Sequence, residues 1–481
     1  MTQAVASPSA LPAYPTHRVA ATAEATKFQF YWLCALILSF CYELPVWYMT
    51  NMDRANPRLF DVVSGFGLIV LLFHNHNFKR PANNPILTWW ARLVLWFAIC
   101  AAIWAAFWFP WGPAGKFSVY FGLKYLEGLL CIYLVAVIPL SSHQKHLLHW
   151  MIVIGGIVVG AYAIMEKLRG ETIRYVAEGK ELKRAEGTLF SCLGPAYFHV
   201  ATFAITAGAM TFAMANKYDA SFKKFFLYCA ALLAVWPAAF SGSRTGLGML
   251  FVVVTCIVLF MKRTRVTVAI AVAFAVLAVM QLMSSDEFME RASKASASVK
   301  RLVGFERTSR GYNSISARVN YGLRGLSGFA AEEYRWQGAR LPFFGGGFYA
   351  VPHSSGRQIK LYRVGYGIHN CYLFPYEQAG ILGLLLAAIF FVVSIRCLWK
   401  ALYFKNETDK QFAIGVWCVT MAFIPAGWVG QVFWRGFGTE NFNTMLIILA
   451  VLAIRQTTPS RPRHQLMPGQ HHPGIQPRPY Y

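Results

Sequence analysis

The stretch GYGIHNCYLFPYEQAGILG, residues 365–383, marks the point where a long polar segment enters an apolar helix. The residues from 381 to 399 are mostly Leu, Ile, Val, Ala and Phe, whereas residues 284–367 form a polar segment with many arginines. His369 and Asn370 stand at the junction between the two. An imidazole at a helix mouth that faces a basic loop can act as a base, a ligand or a hydrogen-bond donor. The alternative is a histidine that only anchors the helix at a lipid–water interface.

The composition of the chain favours a membrane protein. Of its 481 residues 56% are hydrophobic and 14% are charged, whereas a soluble domain carries about 25% charged residues. Apolar runs of about 20 residues, the length that crosses a bilayer as a helix, recur along the sequence. The formal net charge of +24 does not indicate a nucleic-acid partner, because the basic residues lie in the loops between these runs. We predict an all-α polytopic membrane protein.

The apolar runs predict about 12 transmembrane helices, with a large loop between helices nine and ten. The predicted spans are 28–49, 60–73, 86–109, 119–140, 147–165, 195–215, 225–240, 247–261, 266–283, 372–399, 412–433 and 442–454. The chain thus divides into helices one to nine (28–283), a loop (284–371) and helices ten to twelve (372–454). Residues 1–27 and 455–481 have no apolar core, and we expect disordered cytoplasmic tails there.

The distribution of charge predicts the orientation. Lys and Arg are concentrated in one set of alternate short loops, at 79–80, 145, 217–224, 262–265 and 400–410. The positive-inside rule assigns this set and both termini to the cytoplasm. Loops 166–194 and 284–371 and the turn 241–246 then face outward. The long loop carries thirteen Arg and Lys against six Asp and Glu. Positive charge on the outer face, where the rule does not require it, favours an anionic ligand.

Three arginines lie in segments predicted to open onto that outer face. Arg244 stands in FSGSRTGLG, whose small residues permit a tight turn or a helix start with free N–H groups. A guanidinium there can hold phosphate oxygens in a fork. Arg184 precedes the sixth predicted span, and Arg318 lies in the long loop, where its neighbours Arg310 and Arg324 could do the same job. The alternatives are a snorkelling side chain for Arg244 and solvated surface charges for Arg184 and Arg318.

The cysteines indicate neither a metal site nor a disulfide framework. The ten cysteines are scattered, most lie inside apolar runs, and no CxxC pair occurs. Cys192 and Cys371 fall on polar segments, but we do not expect them to pair.

Five of these segments, taken in order, resemble one family. They are RAEGTLF (184–190), SGSRTG (241–246), SARVNY (316–321), PFFGGGF (342–348) and the stretch at 365–383. This order is similar to that of the O-antigen ligase and O-antigen polymerase superfamily, and the resemblance covers about residues 184–386. Members are bacterial inner-membrane glycosyltransferases with a large periplasmic loop. They take a glycan from an undecaprenyl diphosphate carrier and pass it to lipid A–core, to another carrier-linked glycan or to a protein, without a metal or a nucleotide sugar.

The resemblance implies a role for each matching residue. His369 would be the catalytic residue, Arg244 and Arg318 would hold the carrier diphosphate, and Arg184 would line the same site. Asn370 and Glu377 are candidates to orient the substrate, and the alternative for Glu377 is a pair with an arginine. The implied partners are the undecaprenyl diphosphate-linked glycan, a lipid or glycan acceptor and the membrane, with no cofactor. The sequence departs from the family pattern at Tyr321 and at the SCLGP that follows RAEGTLF.

Two alternatives stay open. A polymerase of the same superfamily differs from a ligase in its acceptor, and we favour the ligase. A transporter or flippase is the alternative from another class, since Lys124 and Glu127 lie three residues apart within the fourth predicted span. The absence of an internal repeat and the large basic outer loop favour the enzyme. No Asp-x-Asp motif for a metal–nucleotide complex occurs in the sequence.

Overall fold

The structure is a computed structural model. It describes residues 25–41, 58–73, 116–169, 172–177, 180–185, 197–219, 221–240, 244–260, 372, 374–427 and 441–457. Within these ranges the chain forms ten helices and one β-hairpin. The helices are α1 (Lys27–Ser39), α2 (Leu59–Phe73), α3 (Lys116–Val137), α4 (Ser142–Arg169), α5 (Tyr197–Ala215), α6 (Phe222–Phe240), α7 (Arg244–Phe260), α8 (Phe374–Ala401), α9 (Glu407–Ala426) and α10 (Asn441–Ile454). The antiparallel strands β1 (Thr172–Ala177) and β2 (Lys180–Ala185) lie between α4 and α5.

Helix α5 forms the centre of the bundle. Every residue from 201 to 215 is buried, and the helix packs against α4, α6, α7 and α9. A helix that is apolar on all sides can be surrounded in this way, and the many alanines of α5 let neighbouring helices approach closely. Gly208 shows how closely the helices approach, because a Cβ atom there would lie 1.9 Å from Cγ2 of Val235 on α6.

Side-chain caps define two of the helix starts. Thr26 and Gln29 form a capping box at the start of α1, in which each side chain accepts a hydrogen bond from the other residue's backbone N–H. Asn406 caps α9 by accepting a hydrogen bond from the N–H of Thr408, and acidic residues occupy the first turn. Both arrangements satisfy N–H groups that a helix leaves unpaired at its start.

The flanks of several helices expose apolar side chains. Val62, Phe66 and Ile69 are exposed on α2, and Leu385, Ile389 and Val392 are exposed on α8. Among the described residues, two helices are long and apolar enough to cross a membrane, Ser142–Met165 and Gly383–Ala401, and five further apolar helices are shorter. These two helices are identified by length and composition alone, and the buried core helix of a soluble protein can meet the same two criteria.

The predicted helical fold is confirmed in its coarser form, since the described residues are mostly helical. The count of twelve helices and the crossing of a membrane stay predictions. The predicted loop 166–194 contains the β-hairpin, which is a departure from an all-α fold. Residues 25–27 and 455–457 of the two predicted tails belong to the described structure, where Ala25 and Thr457 form hydrogen bonds with Gln144 and Asp409. The predicted spans 86–109 and 266–283 lie outside the described residues, as does most of the loop 284–371.

Candidate functional sites at the two ends of the bundle

Several helix ends meet at one end of the bundle, which we call the polar end. The side-chain amide of Gln144, near the start of α4, donates a hydrogen bond of 3.0 Å to the carbonyl of Ala25, just before α1. Asn406 Nδ2 donates to Ser142 Oγ and to Thr457 Oγ1, each at 3.1 Å. The starts of α1, α4 and α9 and the end of α10 therefore lie together.

The end of α5 joins the same group. Lys217 Nζ, two residues beyond α5, donates a hydrogen bond of 2.8 Å to Thr408 Oγ1 in the first turn of α9. The described parts of the lysine-rich short loops, together with residues near both termini, therefore meet at one end of the bundle. This grouping agrees with the set that charge alone assigns to one side of a membrane, while the identity of that side stays a prediction.

A buried ion pair forms the core of the polar end. Lys145 Nζ lies 2.8 Å from Asp409 Oδ1, and both side chains are fully buried. Lys145 also donates to the carbonyl of Arg455 at 2.7 Å. The second oxygen of Asp409 accepts hydrogen bonds of 2.9 Å from the backbone N–H and the hydroxyl of Thr457. Arg455 Nη1 in turn donates to the carbonyl of Val135 at 3.2 Å. These bonds connect α3, α4, α9 and the residues after α10.

The ion pair has a structural role that the sequence analysis did not identify. The sequence predicts Lys145 only as a loop charge, and it predicts Arg455 and Thr457 as the start of a tail. Burial lowers the pKa of Arg455 to about 9, which leaves its guanidinium charged at neutral pH. Asp409 is the sequence feature that could have indicated this ion pair, because it is an acidic residue next to a loop whose charged residues are mostly basic.

Helix directions bring the predicted site segments to the opposite end. Helix α4 has 28 residues and starts at the polar end, so its last residue lies about 42 Å away along the axis. The β-hairpin follows, and its strand β2 contacts α4. Arg184 lies on β2, paired in register with Ile173. The backbone of Arg184 therefore belongs to the end opposite the ion pair.

Arg244 and the start of α8 lie at this end as well. Helix α6 starts near Lys217 and ends at Phe240, and α7 starts four residues later at Arg244 itself. The hydroxyl of Tyr372 donates a hydrogen bond of 2.6 Å to the carbonyl of Ile424. Ile424 is close to the end of α9, far from the capping Asn406. Tyr372 comes just before α8, whose first turn contains Glu377.

The structure thus brings the backbones of Arg184, Arg244 and Glu377 to one end of the bundle. His369, Asn370 and Arg318 lie outside the described residues, as do Cys192 and Cys371. Tyr372 is the described residue nearest to His369 in sequence, and its hydrogen bond holds the residue just before α8 against the end of α9.

Glu127, which is one of the two residues that suggest a transporter, has a hydrogen-bond partner on another helix. The hydroxyl of Ser64 on α2 donates a hydrogen bond to the carboxylate of Glu127 on α3. Such a bond is a common way for a carboxylate to join two helices in an apolar bundle. Of the pair considered from sequence, the structure therefore gives Glu127 a partner on another helix.

Within the part of the chain that the structure describes, no three His, Cys, Asp or Glu residues lie close enough together to hold a metal ion. Comparison with known proteins finds no family model and no curated protein that matches this chain.

Proposed function

We propose that this chain is a multi-pass glycosyltransferase of the O-antigen ligase type in a bacterial inner membrane. It would transfer a glycan from an undecaprenyl diphosphate carrier to an acceptor hydroxyl on lipid A–core or on another glycan. The reaction would occur at the periplasmic end, the end opposite the Lys145–Asp409 ion pair.

The exposed apolar side chains support a membrane location. On α2 the exposed residues are Val62, Phe66 and Ile69, and on α8 they are Leu385, Ile389 and Val392. Both sets have the spacing i, i+4, i+7, which gathers them on one helix face. Such contiguous apolar stripes are unfavourable in water and are expected where a helix faces lipid.

One observation carries the proposal for the active end. Segments that are separated by about 190 residues in sequence, from Arg184 to Glu377, meet at a single end of the bundle. They belong to three of the five segments that carry the family-like motifs, and all three belong to the face predicted to be outward. The other two segments, with Arg318 and the glycine cluster, lie outside the described residues. Lying at the same end is the condition that these segments must meet in order to build one site, and a site assembled from distant segments is a common arrangement for an enzyme.

The chemistry needs two functions, and the chain offers residues for both. The acceptor oxygen attacks the anomeric carbon from the side opposite the diphosphate, so a new C–O bond forms while the bond to the phosphate oxygen breaks, with inversion. Arg244 and Arg318 would stabilise the charge that develops on the leaving diphosphate. His369 would accept the proton of the acceptor hydroxyl. Arg184 would line the diphosphate site, and Asn370 and Glu377 would orient the sugar.

A deletion strain tests the class of reaction and its acceptor. A ligase predicts that long glycans disappear from the acceptor and accumulate on the undecaprenyl diphosphate carrier. A polymerase predicts that the acceptor carries a single repeat unit instead of a long chain. A flippase predicts carrier-linked glycan that stays on the cytoplasmic face. Complementation with the wild-type gene is the control, and normal glycans in the deletion strain would contradict all three.

A further inference from the structure

The start of α6 combines exposed aromatic and basic side chains. Phe222 is 80% exposed, Phe225 65% and Phe226 43%. Lys223 between them is exposed, and Lys224 is half-buried with its Nζ 5.9 Å from the ring centroid of Tyr228. Three large apolar rings in such a short segment are costly in water. Their exposure at a helix end therefore calls for a partner with an apolar part.

Two other helices repeat this combination at the polar end. Lys27 starts α1 beside the exposed Phe28 and Tyr31. Near the end of α8, the exposed Trp399 and Tyr403 flank the exposed Lys400. Because all three helix ends lie at the polar end, exposed rings and ammonium groups occur together near this end on three different helices. Rings and lysines at one level are typical of a membrane–water interface.

The charge at the start of α6 determines which lipid fits. Residues 216–226 contain Lys217, Lys223 and Lys224 against Asp219. Lys217 is held in place by Thr408 Oγ1 at 2.8 Å and approaches His146 Nδ1 at 3.4 Å. Its partial burial lowers the pKa of its ammonium, with Glu407 acting in the opposite direction. Because Lys217 is engaged by Thr408 and His146, the exposed Lys223 and the neighbouring half-buried Lys224 are the groups that face an incoming anion.

We propose that residues 222–226 form a binding site for an anionic phospholipid of the leaflet at the polar end. Lys223 and Lys224 would bind the lipid phosphate, while Phe222, Phe225 and Phe226 would contact the glycerol and the upper acyl chains. The inference rests on the membrane location proposed above and is independent of glycosyl transfer, which belongs to the opposite end.

Photo-crosslinking of lipid to the full chain tests this site. The wild-type protein is placed in nanodiscs of phosphatidylcholine that contain a small fraction of a diazirine-bearing phosphatidylglycerol or phosphatidylcholine probe. Labelling is then mapped by peptide mass spectrometry. We expect the phosphatidylglycerol probe to label the 221–229 peptide more strongly than the phosphatidylcholine probe. In Lys223→Gln/Lys224→Gln this labelling should fall at least about fivefold, since each lysine strengthens binding to an anionic surface by about that factor.

Two controls make the result specific. Labelling of the 399–405 peptide should stay unchanged in the double variant, and Lys410→Gln should leave labelling of 221–229 unchanged because Lys410 lies on α9, outside residues 222–226. Lys223→Arg/Lys224→Arg should retain labelling, because charge is the feature that binds. Equal labelling by both probes, no labelling at 221–229, or full labelling of the glutamine variant would each overturn the proposal. The crosslinking experiment does not depend on transfer activity, so its result and that of the deletion strain are independent.

Discussion

The ammonium group of Lys145 lies 2.8 Å from a carboxylate oxygen of Asp409, a residue 264 positions later in the chain, and both side chains are fully buried. Removing either partner leaves a buried charge without compensation, which costs about 3–5 kcal/mol. We therefore expect Lys145→Met and Asp409→Leu each to lower the stability of the protein in detergent strongly. The double variant should be more stable than the sum of the two losses predicts.

The measurement is thermal or denaturant unfolding of the two single variants, the double variant and the exposed control Lys405→Met. Single-variant losses that add up fully in the double variant would show that the two side chains do not interact. A loss in Lys405→Met as large as in Lys145→Met would show that any lysine at the polar end has the same effect.

The packing of α4 against α6 leads to a second prediction. A Cβ atom at Gly160 would lie 2.2 Å from the backbone oxygen of Leu233. Because backbone cannot move aside like a flexible side chain, Gly160→Ala should destabilise the protein by about 1–3 kcal/mol. Gly248→Ala is the matched control, since a Cβ there meets nothing within 4 Å, and it should be neutral or stabilising by up to about 1 kcal/mol. The same unfolding assay measures both, and equal effects would contradict the close approach.

The orientation of the chain leads to a third prediction. We place single cysteines at Ser243 and Ser298 in a cysteine-free background and use spheroplasts, in which the inner membrane is intact and the outer membrane no longer blocks the reagent. Both cysteines should react with a membrane-impermeant maleimide. A cysteine at Ser221, which is exposed at the polar end, should react only after the inner membrane is permeabilised. The reverse pattern would exclude a periplasmic site at Arg244.

The sequence predicts a helix well when the residues that stabilise it are close to it in the chain, and less well when they are far away. The apolar run 195–215 predicts α5, observed as Tyr197–Ala215, and the run 442–454 predicts α10, observed as Asn441–Ile454. In such runs every residue needs only an apolar environment, so a local pattern suffices. The apolar run predicts a span that begins at 412, whereas α9 begins at Glu407. The polar first turn of α9 is stabilised by Lys145. Because Lys145 lies far away in sequence, no local pattern around residue 407 indicates this contact.

The β-hairpin and the candidate site show the same limit. TIRYVA and KELKRA are separated by two residues that include Gly179, which is a hairpin signal within a segment predicted as loop. The motifs around Arg184, Arg244 and His369 predict a shared site through their order and the resemblance they carry. That Arg184 and Arg244 lie at the same end as the start of α8 follows only from the directions of the helices between them.

The arginines of the proposed site lead to a fourth prediction. Arg244→Ala and Arg318→Ala should each abolish transfer, and Arg244→Lys and Arg318→Lys should recover little. Lysine keeps the charge but lacks the planar pair of donors that fits phosphate oxygens. The assay is complementation of the deletion strain at equal protein level, with Arg310→Ala and Arg324→Ala as controls from the same loop. Full activity of both lysine variants would show that charge alone matters there.

The role of His369 tests the central claim most directly, and the measurement is the rate of glycan transfer per folded, membrane-inserted molecule. If His369 is the base, His369→Ala should lower this rate by about 10²–10⁴-fold. His369→Gln should fail almost as severely, because an amide forms hydrogen bonds but does not take up the proton. Binding of the carrier lipid should remain nearly intact in both variants, since the proposal gives the arginines the role of holding the diphosphate. Near wild-type transfer by either variant, with only the amount of protein reduced, would contradict the account and leave His369 as an interfacial anchor.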